Sequence, residues 1–583
     1  MSRNLRRPGT CNPSANPSLD EVLARRSFLR AGIGAVTLAA LPCAAQGAGP
    51  AIDFKPIAVS SEDALRVPAG YEARVLYRWG DPVGSAAGMP QFRIDASNSA
   101  ADQALQAGMH HDGMHYFPID GSRRGLLAIN HEYTDQGLLY PDGMKTWSAE
   151  KVLKSQNAVG VSVIEVSLRG NAWSVVRPSK YARRITARTP CRIAGPAAGH
   201  PLMRTAGDPG GTFVYGTYAG CAHGWTPWGT YLTCEENWHG YFVNGGPIPA
   251  DQQRYGVTAR GFGMRWHEHD ERFDAAKHRN EPNRFGWVVE LDPFDPDSIP
   301  VKRTALGRIK HEGAACSIGA DRRLAFYTGD DEDGEYIYKF VSARAFDPAS
   351  RRANADLLDH GKLYAARFNA DGSGEWLELT GADLGEVRVH TRQAADAAGA
   401  TRLNRPEWVV PHPATREVFA ALTGGRGNPF GTIVRWSEEG GDVAATRFRW
   451  RVFVRAGPEG KGTVQGDHFI NPDSLWIDSI GTLWVGTDGP PSPLGNNQAL
   501  AVDPASGVFR RFLSGPPGCE VTGFHTTPDN RTAFVNIQHP GEGRQTGPDS
   551  PRALSNWPDY APDGRPRSAT VAIRRKDGGQ IGT

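Results

Sequence analysis

Six short stretches of the 583-residue chain set acids at the end or start of an apolar run, often beside His, Cys or Arg. They are Ala128-Ile129-Asn130-His131-Glu132, Leu232-Thr233-Cys234-Glu235-Glu236-Asn237, Lys310-His311-Glu312-Gly313, Tyr327-Thr328-Gly329-Asp330-Asp331-Glu332, Arg405-Pro406-Glu407 and Val485-Gly486-Thr487-Asp488-Gly489. One such stretch alone reads as a solvated turn, the usual place for Asp and Glu. Six of similar make-up read as a set whose acids meet in space. Carboxylates that converge without compensation push one another's pKa upward, and bound cations remove that conflict. Hard oxygen donors suit Ca²⁺ or Mg²⁺. A thiolate among them, from Cys234, points to a transition metal such as iron or zinc as well. His131 and His311 fit either of two roles, metal ligand or the group that orients a neighbouring carboxylate.

Other chemistry is missing from the sequence. No GxGxxG follows a strand and opens a helix, and there is no P-loop, no CxxCH and no HExxH. No GxSxG marks a nucleophile elbow. His267-Glu268-His269-Asp270 has metal-like residue types but sits in a charged stretch and reads as a solvated loop.

The elements that must carry these acids are strands. Short apolar or alternating runs are separated by Gly, Pro, Asp and Asn, with little helical periodicity. The clearest hairpin runs from Asp473 to Asp488 and turns at Ser479–Gly481; a second covers Cys519–Asn536 and a third Trp408–Leu422. Repeated hairpins of this kind predict an all-β chain, a single six-bladed β-propeller with long inserted loops, at about 40–50 residues per blade. In a propeller the innermost strands share one central channel, so acids at corresponding strand ends would converge there. Pro247–Asn283 and Asp383–Arg402 are the candidate insertions. Residues 49–541 form the propeller domain, and the polar Pro- and Gly-containing stretch 542–583 is expected as a surface tail, packed on the propeller or loosely ordered.

Composition agrees with a β-rich globular chain. The 69 glycines and 43 prolines are close to a fifth of all residues, which excludes a coiled coil. No run of about 20 apolar residues recurs, so a polytopic membrane protein is excluded. The 15 Trp, 16 Tyr and 23 Phe argue against disorder. A net charge of +2 points to no nucleic-acid partner.

Residues 1–48 read as a twin-arginine export signal: Arg25-Arg26-Ser27-Phe28-Leu29, then an uncharged stretch from Ala31 to Ala45, then small residues that offer a cleavage site. This predicts a periplasmic or secreted protein that uses the twin-arginine export machinery and has no stable membrane anchor; Cys43 leaves lipidation open, although Pro42 suits a lipobox poorly. The leader holds six arginines against two acids, so the mature chain falls near −2. That route carries folded proteins, often with a cofactor already loaded. Five cysteines remain in the mature chain, an odd number, so at least one should be free, bound to metal or bridged to another chain.

With these motifs assembled, the chain resembles the PhoX-type alkaline phosphatases of bacteria, from about Phe54 to about Gly541. The carriers are Tyr77-Arg78-Trp79-Gly80-Asp81-Pro82, Asn130-His131-Glu132, Cys221 through Thr226-Pro227-Trp228-Gly229-Thr230 to Cys234-Glu235-Glu236-Asn237, Lys310-His311-Glu312-Gly313-Ala314, Tyr327-Thr328-Gly329-Asp330-Asp331, Arg405-Pro406-Glu407 and Thr487-Asp488-Gly489. The resemblance implies a six-bladed propeller with its active site on the axis and a cluster of Fe³⁺ and Ca²⁺ ions. It implies an iron thiolate at Cys234 and carboxylate ligands at Glu132, Glu235, Glu312, Glu407 and Asp488, with Glu236, Asp330 and Asp331 as further candidates. It implies Arg405 as the phosphate-binding arginine and Lys310 as a second phosphate contact. With Cys234 on iron, four mature cysteines would remain, enough for two disulfides. The implied activity is hydrolysis of small phosphomonoesters by a monomeric secreted enzyme. The rival readings are a calcium-dependent hydrolase of another class, lactonase-like, which leaves Cys234 and Arg405 without a role, a non-catalytic secreted protein whose calcium only holds blades together, and an oxidoreductase that uses iron for redox.

Overall fold

The alternating runs fold as strands and their Gly, Asp and Asn punctuation folds as turns. The computed structural model describes residues 11–32, 52–425 and 427–583, and it is mostly β. The three hairpins read from the sequence are present: Pro472–Ile477 with Leu483–Thr487, Glu520–Thr526 with Ala533–Gln538, and Pro406–Pro411 with Val418–Leu422, each pair antiparallel.

Each of these hairpins begins a four-stranded antiparallel meander, and three further meanders have the same plan, the one that starts at His311 lengthened by a fifth strand, Ser373–Glu378. The first starts at His111–Asp120 and continues through Arg124–His131, Gly160–Arg169 and Ala172–Val175. The second starts at Gly220–Trp225, the third at His311–Ile318, the fourth at Pro406–Pro411, the fifth at Pro472–Ile477 and the sixth at Glu520–Thr526. The first strand of every meander lies beside the first strand of the next, and the sixth lies beside the first. Separate apolar clusters fill the spaces between successive meanders. Trp408, Phe419 and Ile433 of the fourth pack on Leu475, Leu483 and Leu500 of the fifth. Tyr116, Ile129 and Ile164 of the first pack on Phe534 and Ala572 of the sixth. Burying side chains of this size contributes about 1.5–3 kcal/mol each, so both faces of each sheet are covered and the strands read as nearly continuous apolar runs.

The C-terminal stretch packs into the sixth meander. Ala569–Arg575 is a buried strand between Ala533–Gln538 and Tyr71–Arg78, paired to both. The C-terminal stretch therefore joins the first strand of the domain to the last sheet. A single strand of alternating small and β-branched residues after a Pro- and Gly-rich stretch carries too little local signal to be seen without its partner, some 500 residues away in the chain.

The candidate insertion Asp383–Arg402 folds as two short helices, Leu384–Val389, N-capped by Asp383, and Thr391–Ala398, closed by Gly399 at φ +83°. The twin arginines lie on the helix Leu19–Gly32, whose Leu19 and Val22 pack on the third and fourth meanders. The proposed cleavage segment and most of the apolar stretch fall outside the described residues, as does Cys43. Among the described residues no helix is long and apolar enough to cross a membrane.

Candidate metal centre and active site

All six inner strands open with a side chain able to ligate a metal: Asp112, Cys221, Glu312, Glu407, Asp473 and Glu520, every one buried. In five of them the pairing with the second strand slips at or just after this position, between His111 and Met114, Glu312 and Ala315, Pro406 and Val409, Pro472 and Leu475, and Thr522 and His525. An irregularity of this kind bends the strand and re-aims its side chains. It also demands close backbone approach. A Cβ on Gly113 would lie 2.7 Å from the Cys221 carbonyl oxygen, and Gly523, at φ +58°, would meet the Asp112 carbonyl oxygen at 2.4 Å.

The second strands run back antiparallel, so their last residues reach the same end of the ring. Glu132, Glu236, Asp331, Asp488 and His539 each follow directly on such a strand. Strand starts and strand ends then combine into three groups whose ligand atoms lie within 4.8 Å of one another: Asp112 with Glu132 and Cys221, Glu236 with Glu312 and Asp331, and Asp488 with Glu520 and His539.

The electrostatics of these groups are those of a site that needs cations. Burial, with Glu132 beside it, holds Asp112 well above the ordinary carboxylate range. Burial, then Glu407, Glu236 and Asp331, does the same to Glu312. Glu520 is pushed up to about 7 by burial and Asp112. The Cys221 thiol is pushed up by burial, Asp112, Glu312 and Glu132. His539 goes the other way for a histidine: burial opposes its charge, but Glu542, Glu520 and Asp488 raise it to about 10. Both carboxylate oxygens of Glu312 are buried with no hydrogen-bond partner, a cost of about 1–3 kcal/mol or more for a charged group. A cation removes that cost. The donor set of carboxylate oxygens with one thiol and one imidazole fits hard cations together with a thiolate-binding transition ion.

Arg405 stands at the edge of this cluster, immediately before the fourth inner strand, at φ +50°. Its Nε and Nη2 donate to the two oxygens of Asp331 at 2.8 and 2.9 Å, and Nη2 also donates to Glu407 Oε1 at 2.7 Å. Its side chain is 19% exposed, against 4% for Asp331 and 1% for Glu407, so it is the member of this trio that solvent reaches. Lys310 is buried and donates from Nζ to Glu332 Oε2 at 2.5 Å.

Glu132, Glu236, Glu312, Asp331 and Asp488 thus come together, and Glu407 joins them through Arg405. Cys234, Glu235 and Asp330 do not. Cys234 lies in an apolar core with Leu232, Val288, Ile309 and Ala314. Glu235 Oε1 accepts from Lys302 Nζ at 2.6 Å, and its Oε2 accepts from the backbone N–H groups of Gly286 and Trp287. Asp330 is tied to the buried guanidinium of Arg392. In each case the neighbouring residue in the chain, or the matching residue of the next strand, faces the cluster instead. His131 Nε2 shares a hydrogen bond with Ser162, and His311 hydrogen-bonds through Nδ1 with Thr328 and Nε2 with the Gly307 carbonyl. Both histidines serve as anchors for the acid that follows.

Asp112, Cys221, Glu520 and His539 were not singled out by sequence reasoning. The signal was present: each sits at the same place in its hairpin as Glu312 or Asp331, and superposing the hairpins would have found them. The two expected disulfides are absent, because Cys191, Cys221 and Cys316 are all thiols in no bridge.

Comparison with known proteins gives a consistent result. Residues 52–541 match the family model described as alkaline phosphatase PhoX. Among solved structures, Pseudomonas fluorescens PhoX in complex with vanadate, a transition state analogue, is 44% identical with a TM-score of 0.86, over 91% of this chain and 99% of that one. Hydrazine synthase of Kuenenia stuttgartiensis matches at 14% identity and a TM-score of 0.22, over 46% of this chain and 65% of that one. No curated protein sequence matches.

Proposed function

The chain belongs to the alkaline phosphatase PhoX family and is a phosphatase, and we propose that it hydrolyses phosphomonoesters at a mixed Ca²⁺ and Fe³⁺ cluster held at one end of the ring of inner strands. We read the six meanders as the six blades of a propeller with that cluster on its axis. The observation that carries the proposal is the convergence of three buried ligand groups at that end, one of them containing the thiol of Cys221.

We assign the iron thiolate to Cys221, which shares a group with Asp112 and Glu132, whereas Cys234 packs in an apolar core. Glu236, Glu312 and Asp331 form an all-oxygen group suited to Ca²⁺. Asp488, Glu520 and His539 form the third. When bound, these cations supply Lewis-acid neutralisation of phosphoryl oxygens and activation of a water nucleophile.

The side chains around the cluster do the rest. Arg405 is the phosphate-binding group, a guanidinium at the edge of the cluster that solvent reaches. Asp331 and Glu407 hold that fork in place from behind, and the left-handed backbone at Arg405 is the kind of sparsely populated conformation that persists where surroundings over-determine it. Lys310 is neutralised by Glu332, next to Arg392, and acts on substrate through the local field rather than by contact. The P. fluorescens relative binds vanadate as a transition-state analogue; the same grip on a trigonal phosphoryl group is what Arg405 and the cations would provide here. Residues 1–48 act as a twin-arginine signal that delivers the enzyme to the periplasm or beyond, as a monomer.

Hydrolysis of p-nitrophenyl phosphate, measured with excess Ca²⁺ and again after a calcium chelator, tests this reading. Activity should vanish with the chelator and return with Ca²⁺. Activity indifferent to chelation and to iron content would overturn the cluster proposal.

A further inference from the structure

The inner strands carry a second convergence that the phosphatase reading does not use. His115, His223 and His525 lie on the first, second and sixth inner strands, and one nitrogen of each ring lies within 4.8 Å of the others. Each follows a member of the acid cluster along its own strand: Asp112, Cys221 and Glu520. The intervals of three, two and five residues put the histidines roughly 7–16 Å further along the strands at about 3.3 Å per residue. The two groups therefore occupy different depths of the same central channel.

The surroundings are aromatic. His115 stacks on Trp225 with ring centroids 5.3 Å apart and packs on His525 at 4.4 Å; Trp476 covers His525 at 4.3 Å; Tyr231 stacks on His223 at 5.7 Å, with Trp408 edge-on at 5.4 Å. All three histidines are more than nine-tenths buried. In all three, Nδ1 is buried with no hydrogen-bond partner. A neutral imidazole has one N–H donor and one acceptor nitrogen, and buried polar groups are ordinarily paired. Three orphaned nitrogens at one place are the exception that requires an explanation. A neutral imidazole is the form that ligates metals.

We propose that His115, His223 and His525 form a separate transition-metal site for a single late first-row ion, zinc or copper. Three neutral nitrogens favour that class over Ca²⁺ or Fe³⁺, which seek anionic oxygen. A three-histidine set leaves a fourth position open for water or a small anion. A cleft of about 400 Å³ lined by His223, Trp225, Cys316, Trp408, Val410 and Trp476 leads to the site, and gives an ion a way in that does not pass the acid cluster.

The test uses the calcium- and iron-loaded enzyme, equilibrated with zinc chloride or, in a reducing buffer, with copper(I), then cleared of loose metal and analysed by elemental mass spectrometry. One zinc or copper per chain is expected above the calcium and iron content. His525→Gln and, separately, His223→Gln should each lose that equivalent while calcium, iron and p-nitrophenyl phosphate turnover stay at wild-type levels. Two variants at different strands guard against one that fails to fold. Cobalt(II) taken up by the wild-type enzyme should show the strong visible bands of a low-coordinate nitrogen site, absent from both variants. No extra equivalent in the wild type, or an extra equivalent that persists in both variants, would overturn the proposal.

Discussion

The two candidate thiols can be separated by one pair of substitutions, Cys221→Ser and Cys234→Ser. Cys221 shares a group with Asp112 and Glu132, all within 4.8 Å, whereas Cys234 is fully buried among Leu232, Val288, Ile309 and Ala314. A serine hydroxyl does not ionise to replace a thiolate, so Cys221→Ser should lose the iron. A Lewis acid is worth several kcal/mol of transition-state stabilisation, and every ~1.4 kcal/mol is tenfold in rate, so kcat should fall by roughly two powers of ten or more. Cys234→Ser should keep its iron and its kcat. Its cost is one of stability. Sγ lies 3.9 Å from the Leu232 carbonyl, too far for an O–H···O bond, which needs about 2.5–3.0 Å. A buried hydroxyl without a partner costs about 1–3 kcal/mol. The assay is iron content and p-nitrophenyl phosphate turnover beside a denaturant midpoint for each variant. Full iron and full kcat in Cys221→Ser, or loss of iron in a folded Cys234→Ser, would refute the assignment.

Three further outcomes follow from the same geometry. Glu235→Gln leaves the fully buried Lys302 ammonium without its counter-charge, which should cost about 3–5 kcal/mol in stability while metal content and kcat of the folded enzyme stay unchanged; loss of calcium or iron would instead make Glu235 a ligand. Arg405→Lys abolishes the fork onto Asp331. At about 1.5–3 kcal/mol for a hydrogen bond to a charged group, kcat/KM should drop roughly ten- to a hundredfold with metals retained, and an unchanged kcat/KM would remove Arg405 from substrate binding. In chelated enzyme, Glu520 at about 7 and the raised Asp112 and Glu312 sit above their unfolded values. Their contribution to stability is complete at low pH and is lost as pH rises through the folded value. Thermal melts of the chelated enzyme should therefore fall from about pH 5 to about pH 8, and the metal-loaded enzyme should show a smaller change; a chelated enzyme that gains stability over that range would contradict the burial of those acids.

Much of the fold was legible because its signals are local. The hairpins at Asp473–Asp488, Cys519–Asn536 and Trp408–Leu422 are short alternating runs around Asp, Asn and Gly turns, and each folds as read. The strand Ala569–Arg575 was not legible, since what makes it a strand is pairing with Tyr71–Arg78 and with Ala533–Gln538. The cysteines offered a bridge pattern by count alone, and the structure keeps Cys191, Cys221 and Cys316 on three different strands as thiols.

The sequence by itself determined the chemistry of the site: acids at the ends of short strands, a thiol near them, an arginine one step ahead of a strand, and the motif blocks shared with the family. Only the tertiary structure decided which member of each neighbouring pair faces the metals. Glu236 turns inward and Glu235 outward, Asp331 inward and Asp330 outward. Along a strand the side-chain period is two, so a shift of one residue reverses every face, and irregular pairing occurs in this hairpin and its neighbours just at the ligand positions. That slip is set by the fit of one strand against another, as where Gly113 passes the Cys221 carbonyl, and no property of either strand alone records it.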